Sequence, residues 1–110
     1  MAGASLSTHV LDTHLGRPAA GVLVTLSRVE GERTARIAEG RTDGDGRVAK
    51  LAERLDPGTY RLAFDVGAYY RAQGATPLVG RVALDLAVTS GHYHVPLLAS
   101  PFAAVAYRGS

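Results

Sequence analysis

Cysteine and tryptophan are both absent from this chain, phenylalanine occurs twice and methionine once. Without cysteine there is no disulfide framework, no thiol nucleophile and no thiolate zinc site, and folding does not need an oxidising compartment. With two Phe, no Trp and arginines scattered rather than clustered, the chain offers neither a stacking platform nor a basic stripe, so no nucleic-acid partner is expected. No apolar run approaches the roughly 20 residues of a membrane span. The opening "MAGASLSTHV" lacks the basic start and long apolar stretch of a secretory leader. A cytoplasmic protein with no membrane partner is therefore expected.

What is present is ordinary for a globular chain: 46% hydrophobic residues, 20% charged residues and a formal net charge of +2. Its 110 residues are enough to close one core, so the chain reads as a single domain over residues 1–110. Short alternating runs recur about every 8 to 12 residues with turn signals between them, which argues an all-β, two-sheet sandwich. In the first run, Leu6, Thr8 and Val10 fall on one face and Ser7, His9 and Leu11 on the other. "GRPAAG" breaks the pattern, "VLVTLSRV" (22–29) resumes it, and residues 34–42 form a third strand. "DGDG" (43–46) and "DPG" (56–58) are turns, followed respectively by a short strand over 47–51 and by "TYRLAFDV", whose Tyr60, Leu62, Phe64 and Val66 face the core. "GAYYRAQGA" (67–75) is the one helix, ended by Gly74, with Tyr69 and Tyr70 as packing groups. Strands then return, with Val82, Leu84 and Leu86 inward, followed by 92–99 and 103–108.

"DGDG" is a turn and not a calcium loop. Counted from Asp43, the positions that should hold Gly and Glu hold Val48 and Arg54.

In "GHYHVPLLAS" (91–100), His92 and His94 lie two apart on a strand and so share a face. Parity also puts His9 with Ser7, and Tyr107 with Val105. If these strands are neighbours, His9, His94 and Tyr107 gather on one surface with Leu11, Pro96, Leu98 and Val105. A half-apolar face of that kind invites a partner. Histidines at i and i+2 can also chelate zinc with a third ligand such as His9. An Arg in the same place argues against it.

"GRPAAGVLVTL", "RTDGDGRV" and "DPGTYRLAF" resemble the transthyretin-like sandwich and other modules built on similar sheets. "LSTHVLD", "DGR", "HYHVPLL" and "YRGS" together resemble the 5-hydroxyisourate hydrolases, the transthyretin-related enzymes of purine breakdown. The resemblance runs along essentially the whole chain. Between Ser100 and Tyr107, however, this chain reads "PFAAVA", where that family often has an aromatic, Ser- and Thr-containing stretch.

The resemblance implies a catalytic group of His9, Arg47 and His94, with Tyr107, Arg108, Gly109 and Ser110 as the substrate-binding wall. It implies no metal and no organic cofactor. The implied reaction converts 5-hydroxyisourate to 2-oxo-4-hydroxy-4-carboxy-5-ureidoimidazoline in urate catabolism, and the implied assembly is a homotetramer with active sites at the dimer–dimer interface. Imidazole suits a general base at neutral pH, and a guanidinium suits a developing oxyanion or an anionic substrate. His92 reads as structural or supporting. The competing expectation is a transthyretin-like carrier of a small molecule, which would have no need of two His and an Arg in its channel.

Overall fold

The computed structural model describes residues 3–110; Met1 and Ala2, the start of the stretch read for a leader, lie outside the described residues. The strands are β1 (Ala4–Asp12), β2 (Arg17–Pro18), β3 (Leu23–Glu30), β4 (Arg33–Arg41), β5 (Arg47–Leu55), β6 (Gly58–Phe64), β7 (Val82–Val88), β8 (His92–Ala99) and β9 (Ala104–Ala106). Among the described residues there is one short helix, α1 (Val66–Arg71), which follows β6. One sheet runs β2-β1-β8-β9, with β5 also paired to β1, and the other runs β4-β3-β6-β7. The expected two-sheet sandwich with one helix is what the chain forms.

Alternation decides which side chains fill the space between the sheets. Leu6 and Val10 of β1, Val24 and Leu26 of β3, Leu62 and Phe64 of β6, and Leu97 of β8 are all essentially inaccessible. Each such burial contributes roughly 1.5–3 kcal/mol. A one-residue slip of any strand would turn its whole set outward, so the pattern fixes the register. Thr8 shares the buried parity of β1 and satisfies its hydroxyl by donating to the Val95 carbonyl at 2.6 Å.

The pairing that matters for function is β1 with β8. It is parallel and in register from Ser5 opposite His92, through Ser7 opposite His94 and His9 opposite Pro96, to Asp12 opposite Ala99. Strands from the two ends of the sequence thus lie side by side at the centre of one sheet.

Three expectations shift at their edges. The strand after the "DGDG" turn continues to Leu55 and pairs with β1 as far as Ala4, well beyond the expected 51. The helix starts at Val66, where the Asp65 side chain accepts a hydrogen bond from Ala68 N at 3.1 Å, and regular helix ends at Arg71. The last strand is only Ala104–Ala106 rather than 103–108. Its partner explains why: Pro96 has no N–H to give, so the ladder lapses opposite it. Pairing resumes as an isolated bridge between Gly109 and His94.

Among the described residues, no helix is long and apolar enough to cross a membrane.

Candidate active site

Parallel pairing lays the two histidines of β8 beside the two serines of β1. Ser5 Oγ lies 2.6 Å from His92 Nδ1, Ser7 Oγ lies 2.9 Å from His92 Nε2, and the same Ser7 oxygen lies 2.8 Å from His94 Nδ1. Ser7 is 7% exposed, so its hydroxyl depends on these partners rather than on water. Burial first, then the positive charges of His9, Arg47 and His92, hold the His94 imidazole below the ordinary value of 6.5. His94 is therefore a neutral base at neutral pH.

The turn before β5 delivers the guanidinium. The Asp43 carboxylate accepts from Arg47 N at 3.0 Å and from Asp45 N at 2.9 Å, and Gly46 N closes the turn on the Asp43 carbonyl at 2.9 Å. Those two N–H donors, helped by the Arg47 and His9 charges, keep the Asp43 carboxyl below the ordinary carboxylate range. Gly46 has φ +76°, and a Cβ there would sit 2.5 Å from the Val10 carbonyl oxygen, so both conformation and space require glycine. Val10 N donates to the Gly46 carbonyl at 2.7 Å, which ties the turn to β1 and sets Arg47 opposite His9.

The tail supplies the remaining wall. Gly109 N donates to the His94 carbonyl at 2.7 Å. A Cβ on Gly109 would lie 2.8 Å from His94 Cδ2 and 3.1 Å from Pro96 Cγ. Only a glycine lets the backbone pass this close to the imidazole. Beyond it, Ser110 joins Ser7, Thr8, Arg47, Ala49, His92 and His94 around a cavity of about 260 Å³.

Of the residues picked out from the sequence, Arg47, His94 and Ser110 line this cavity. Gly109 backs it through His94. His9 is half-buried beside it, on the same face of β1 as Ser7 and opposite Arg47. Tyr107, 52% exposed, hydrogen-bonds through its N to the Pro96 carbonyl at 3.3 Å. Arg108 is not brought to the His94 cavity. Its guanidinium carbon lies 4.6 Å from the centroid of the Tyr93 ring, and alternation puts Tyr93 on the opposite face of β8 from His94. Tyr107 and Arg108 instead line a second recess with Leu84, Leu86, Tyr93 and Val95. Among the described residues, no group of three or more His, Asp or Glu side chains is arranged to hold a metal ion.

Two features were not drawn from the sequence. The first is Ser7 as the link between the histidines, although its parity with His9 and its place in "LSTHVLD" put it on the right face. The second lies at the far end of β1. Asp12 is completely buried and accepts from Tyr69 Oη at 2.7 Å, Tyr70 Oη at 2.9 Å, His14 N at 2.9 Å and Leu15 N at 3.0 Å. Burial pushes its carboxyl up, but the four hydrogen bonds outweigh that and hold it below 3.8. Tyr69 and Tyr70, read as packing groups, thus also clamp the helix to this carboxylate.

A model described as the HIUase/Transthyretin family matches residues 6–109. The chain belongs to that family. A 5-hydroxyisourate hydrolase of Caulobacter vibrioides is 47% identical over 112 residues, covering 96% of this chain and 97% of the relative. The structure of Klebsiella pneumoniae 5-hydroxyisourate hydrolase superposes with a TM-score of 0.89 at 38% identity, covering 97% of this chain and 99% of that one. Sea bream transthyretin in complex with thyroxine superposes almost as well, with a TM-score of 0.88 at 28% identity, covering 96% and 94% of the two chains. The transthyretin-like sandwich is thus shared across the HIUase/Transthyretin family, while sequence similarity to the two hydrolases is the higher.

Proposed function

We propose that this chain is a 5-hydroxyisourate hydrolase, acting as one cytoplasmic domain and opening the cyclic amide of its substrate to a carboxylate. The observation that carries the reading is one cavity lined by Arg47, His94 and Ser110, with His9 alongside. His94, neutral at neutral pH, takes a proton from water as the oxygen attacks the carbonyl carbon. Arg47 faces the oxyanion that develops, and its planar fork can also hold an anionic ring. His9 orients the water or ring from the neighbouring strand. The C–N bond then breaks, the nitrogen takes a proton and the carbonyl carbon becomes the carboxylate. The product is 2-oxo-4-hydroxy-4-carboxy-5-ureidoimidazoline, a step in urate catabolism, and the chemistry calls on no metal or cofactor.

The reading includes a homotetramer. Val105 is 58% exposed, and Leu11 and Leu98 are only half-buried on the same side of the sheet. Two such faces meeting would cover this apolar surface and enclose the cavity at the dimer–dimer interface. A mass measurement in solution checks the assembly.

The deciding experiment is spectroscopic decay of freshly generated 5-hydroxyisourate. Acceleration far above the spontaneous rate supports the hydrolase. The likeness to sea bream transthyretin keeps a carrier as the second reading, which predicts thyroxine binding with decay at the spontaneous rate.

A further inference from the structure

Ser5, His92, Ser7 and His94 form one hydrogen-bonded line across the β1–β8 pair, and its ends differ. Both rings border the cavity, but His94 is half-buried whereas His92 is exposed. A hydroxyl carries one proton, so Ser7 can donate to only one of the two imidazoles it touches. The line therefore has two self-consistent arrangements. In the first, His94 Nδ1–H donates to Ser7, Ser7 to His92 Nε2, and His92 Nδ1–H to Ser5, which leaves His94 Nε2 a bare base. In the second every bond is reversed, and His94 Nε2 carries a proton it can give away. Moving each proton one step along the line converts one arrangement into the other.

We propose that this line is a proton relay, in which Ser7 and His92 switch His94 between base and acid within one turnover of the hydrolysis proposed above, on which the relay rests. As the water oxygen bonds to the carbonyl carbon, its proton goes to His94 Nε2. The His94 Nδ1 proton passes to Ser7 Oγ, the Ser7 proton to His92 Nε2, and a proton leaves to solvent from His92 Nδ1 by way of Ser5. His94 is then neutral but protonated at Nε2. As the C–N bond breaks, that proton goes to the departing nitrogen, and the line refills from solvent through His92, restoring the base. The new carboxylic acid loses its own proton to water. One proton leaves and one returns along the line. The net release of one proton per turnover is that of an amide hydrolysed to a carboxylate whose departing nitrogen, ureido in this product, stays uncharged.

The gain lies in where positive charge resides. A fully protonated His94 would be a half-buried imidazolium facing Arg47 of β5 and His9 of β1, the same groups that already hold its pKa down. The relay instead carries that charge out to solvent past the exposed His92, leaving both rings neutral. Ser7 and His92 border the same cavity, yet in the relay they act through His94 as positioning residues, which an unchanged KM distinguishes from substrate contact.

The test is His92→Gln, which keeps a hydrogen-bonding side chain on an exposed site but cannot pass a proton through a ring. Steady-state decay of 5-hydroxyisourate is measured in H2O–D2O mixtures and with added imidazole. The expected result is kcat lower by about tenfold with KM within about twofold. The proton inventory should straighten from curved to linear, and added imidazole should raise the rate. Ser7→Ala should show the same loss, and Ser7→Thr, which keeps the hydroxyl, should recover part of it. Should the Ser7 variants fail to fold, His92→Gln still decides. If wild-type protein accelerates decay and His92→Gln matches it in kcat, inventory and indifference to imidazole, the relay alone is overturned. If wild-type protein gives no acceleration, the hydrolase reading falls first and the relay with it.

Discussion

The β1–β8 pair carries a polar cluster at each end, and the two are built on opposite plans. At the Asp12 end, a buried carboxylate receives four donors, and the donors come from fixed backbone N–H groups and tyrosine hydroxyls. Every bond there has one possible direction at neutral pH, because a carboxylate only accepts. At the Ser7 end, hydroxyls and imidazoles alternate, each able to donate or accept, and both rings border a cavity. A network whose bonds all point one way locks α1 and the β1–β2 turn onto the sheet. A network with two directions of polarity suits proton chemistry. The difference teaches that burial and hydrogen-bond number mark structural importance, whereas ambiguity of donor and acceptor beside an open cavity marks a site.

Substitutions should separate the two ends cleanly. The largest effect is expected for His94→Ala and Arg47→Ala, each lowering kcat/KM for 5-hydroxyisourate by about 10²-fold or more while urea unfolding curves stay close to wild type. Asp12→Ala should do the reverse. It strands the Tyr69 hydroxyl and two N–H groups and leaves Tyr70 Oη only the Ala99 carbonyl, at a cost of about 3 kcal/mol in denaturant titration, while activity per folded molecule holds. Retained stability in Asp12→Ala, or lost stability in His94→Ala, would erase the contrast.

Acid should sharpen it further. The His94 pKa lies below 6.5 in the folded chain, so kcat/KM should fall on an acid limb whose midpoint lies under that value. The sign for folding follows from the same depression. The unfolded chain binds the proton first, so this imidazole weakens the fold only as pH drops from 6.5 toward its folded pKa. Asp12 acts lower. Its folded pKa lies under 3.8, so its stabilisation is whole above 3.8 and fades as pH falls through the folded value. Activity should therefore be lost at a higher pH than the Asp12 clamp, which parallel rate and circular-dichroism titrations would resolve. Gly109→Ala should have an intermediate effect, about a tenfold loss in kcat, as its Cβ displaces the His94 ring or the tail. The smallest effect is expected for Arg108→Ala, under about 1 kcal/mol in stability from the lost contact with Tyr93, with KM nearly unchanged.

Much of this was legible in residue order, because strands impose a period of two. The faces within β1 and within β8 follow from parity alone; that His9 and His94 share a side needed the β1–β8 pairing as well. The "DGDG" turn placed Arg47 at a strand start without placing it opposite His9, since inter-strand register is a long-range property. Asp12 shares the parity of Leu6, Thr8 and Val10, so its burial was readable, and a buried carboxylate demands donors. That Tyr69 and Tyr70 would be those donors depends on how α1 folds back over the sheet, which local pattern does not encode. The tail was misjudged in part for a similar reason. Alternation suggested a strand to Arg108, but Pro96 on the neighbouring strand interrupts the ladder, and Arg108 turns to Tyr93 instead.

One consequence of the parallel β1–β8 pairing concerns synthesis. Ser7 meets His94 across 87 positions of sequence, so a growing polypeptide carries half of this arrangement long before the other half exists. Until β8 emerges from the ribosome, one edge of β1 stands open to any stray strand. Closing that gap completes the sandwich and its chemistry in a single late event, so a polypeptide cut short before β8 would be both inert and prone to aggregate.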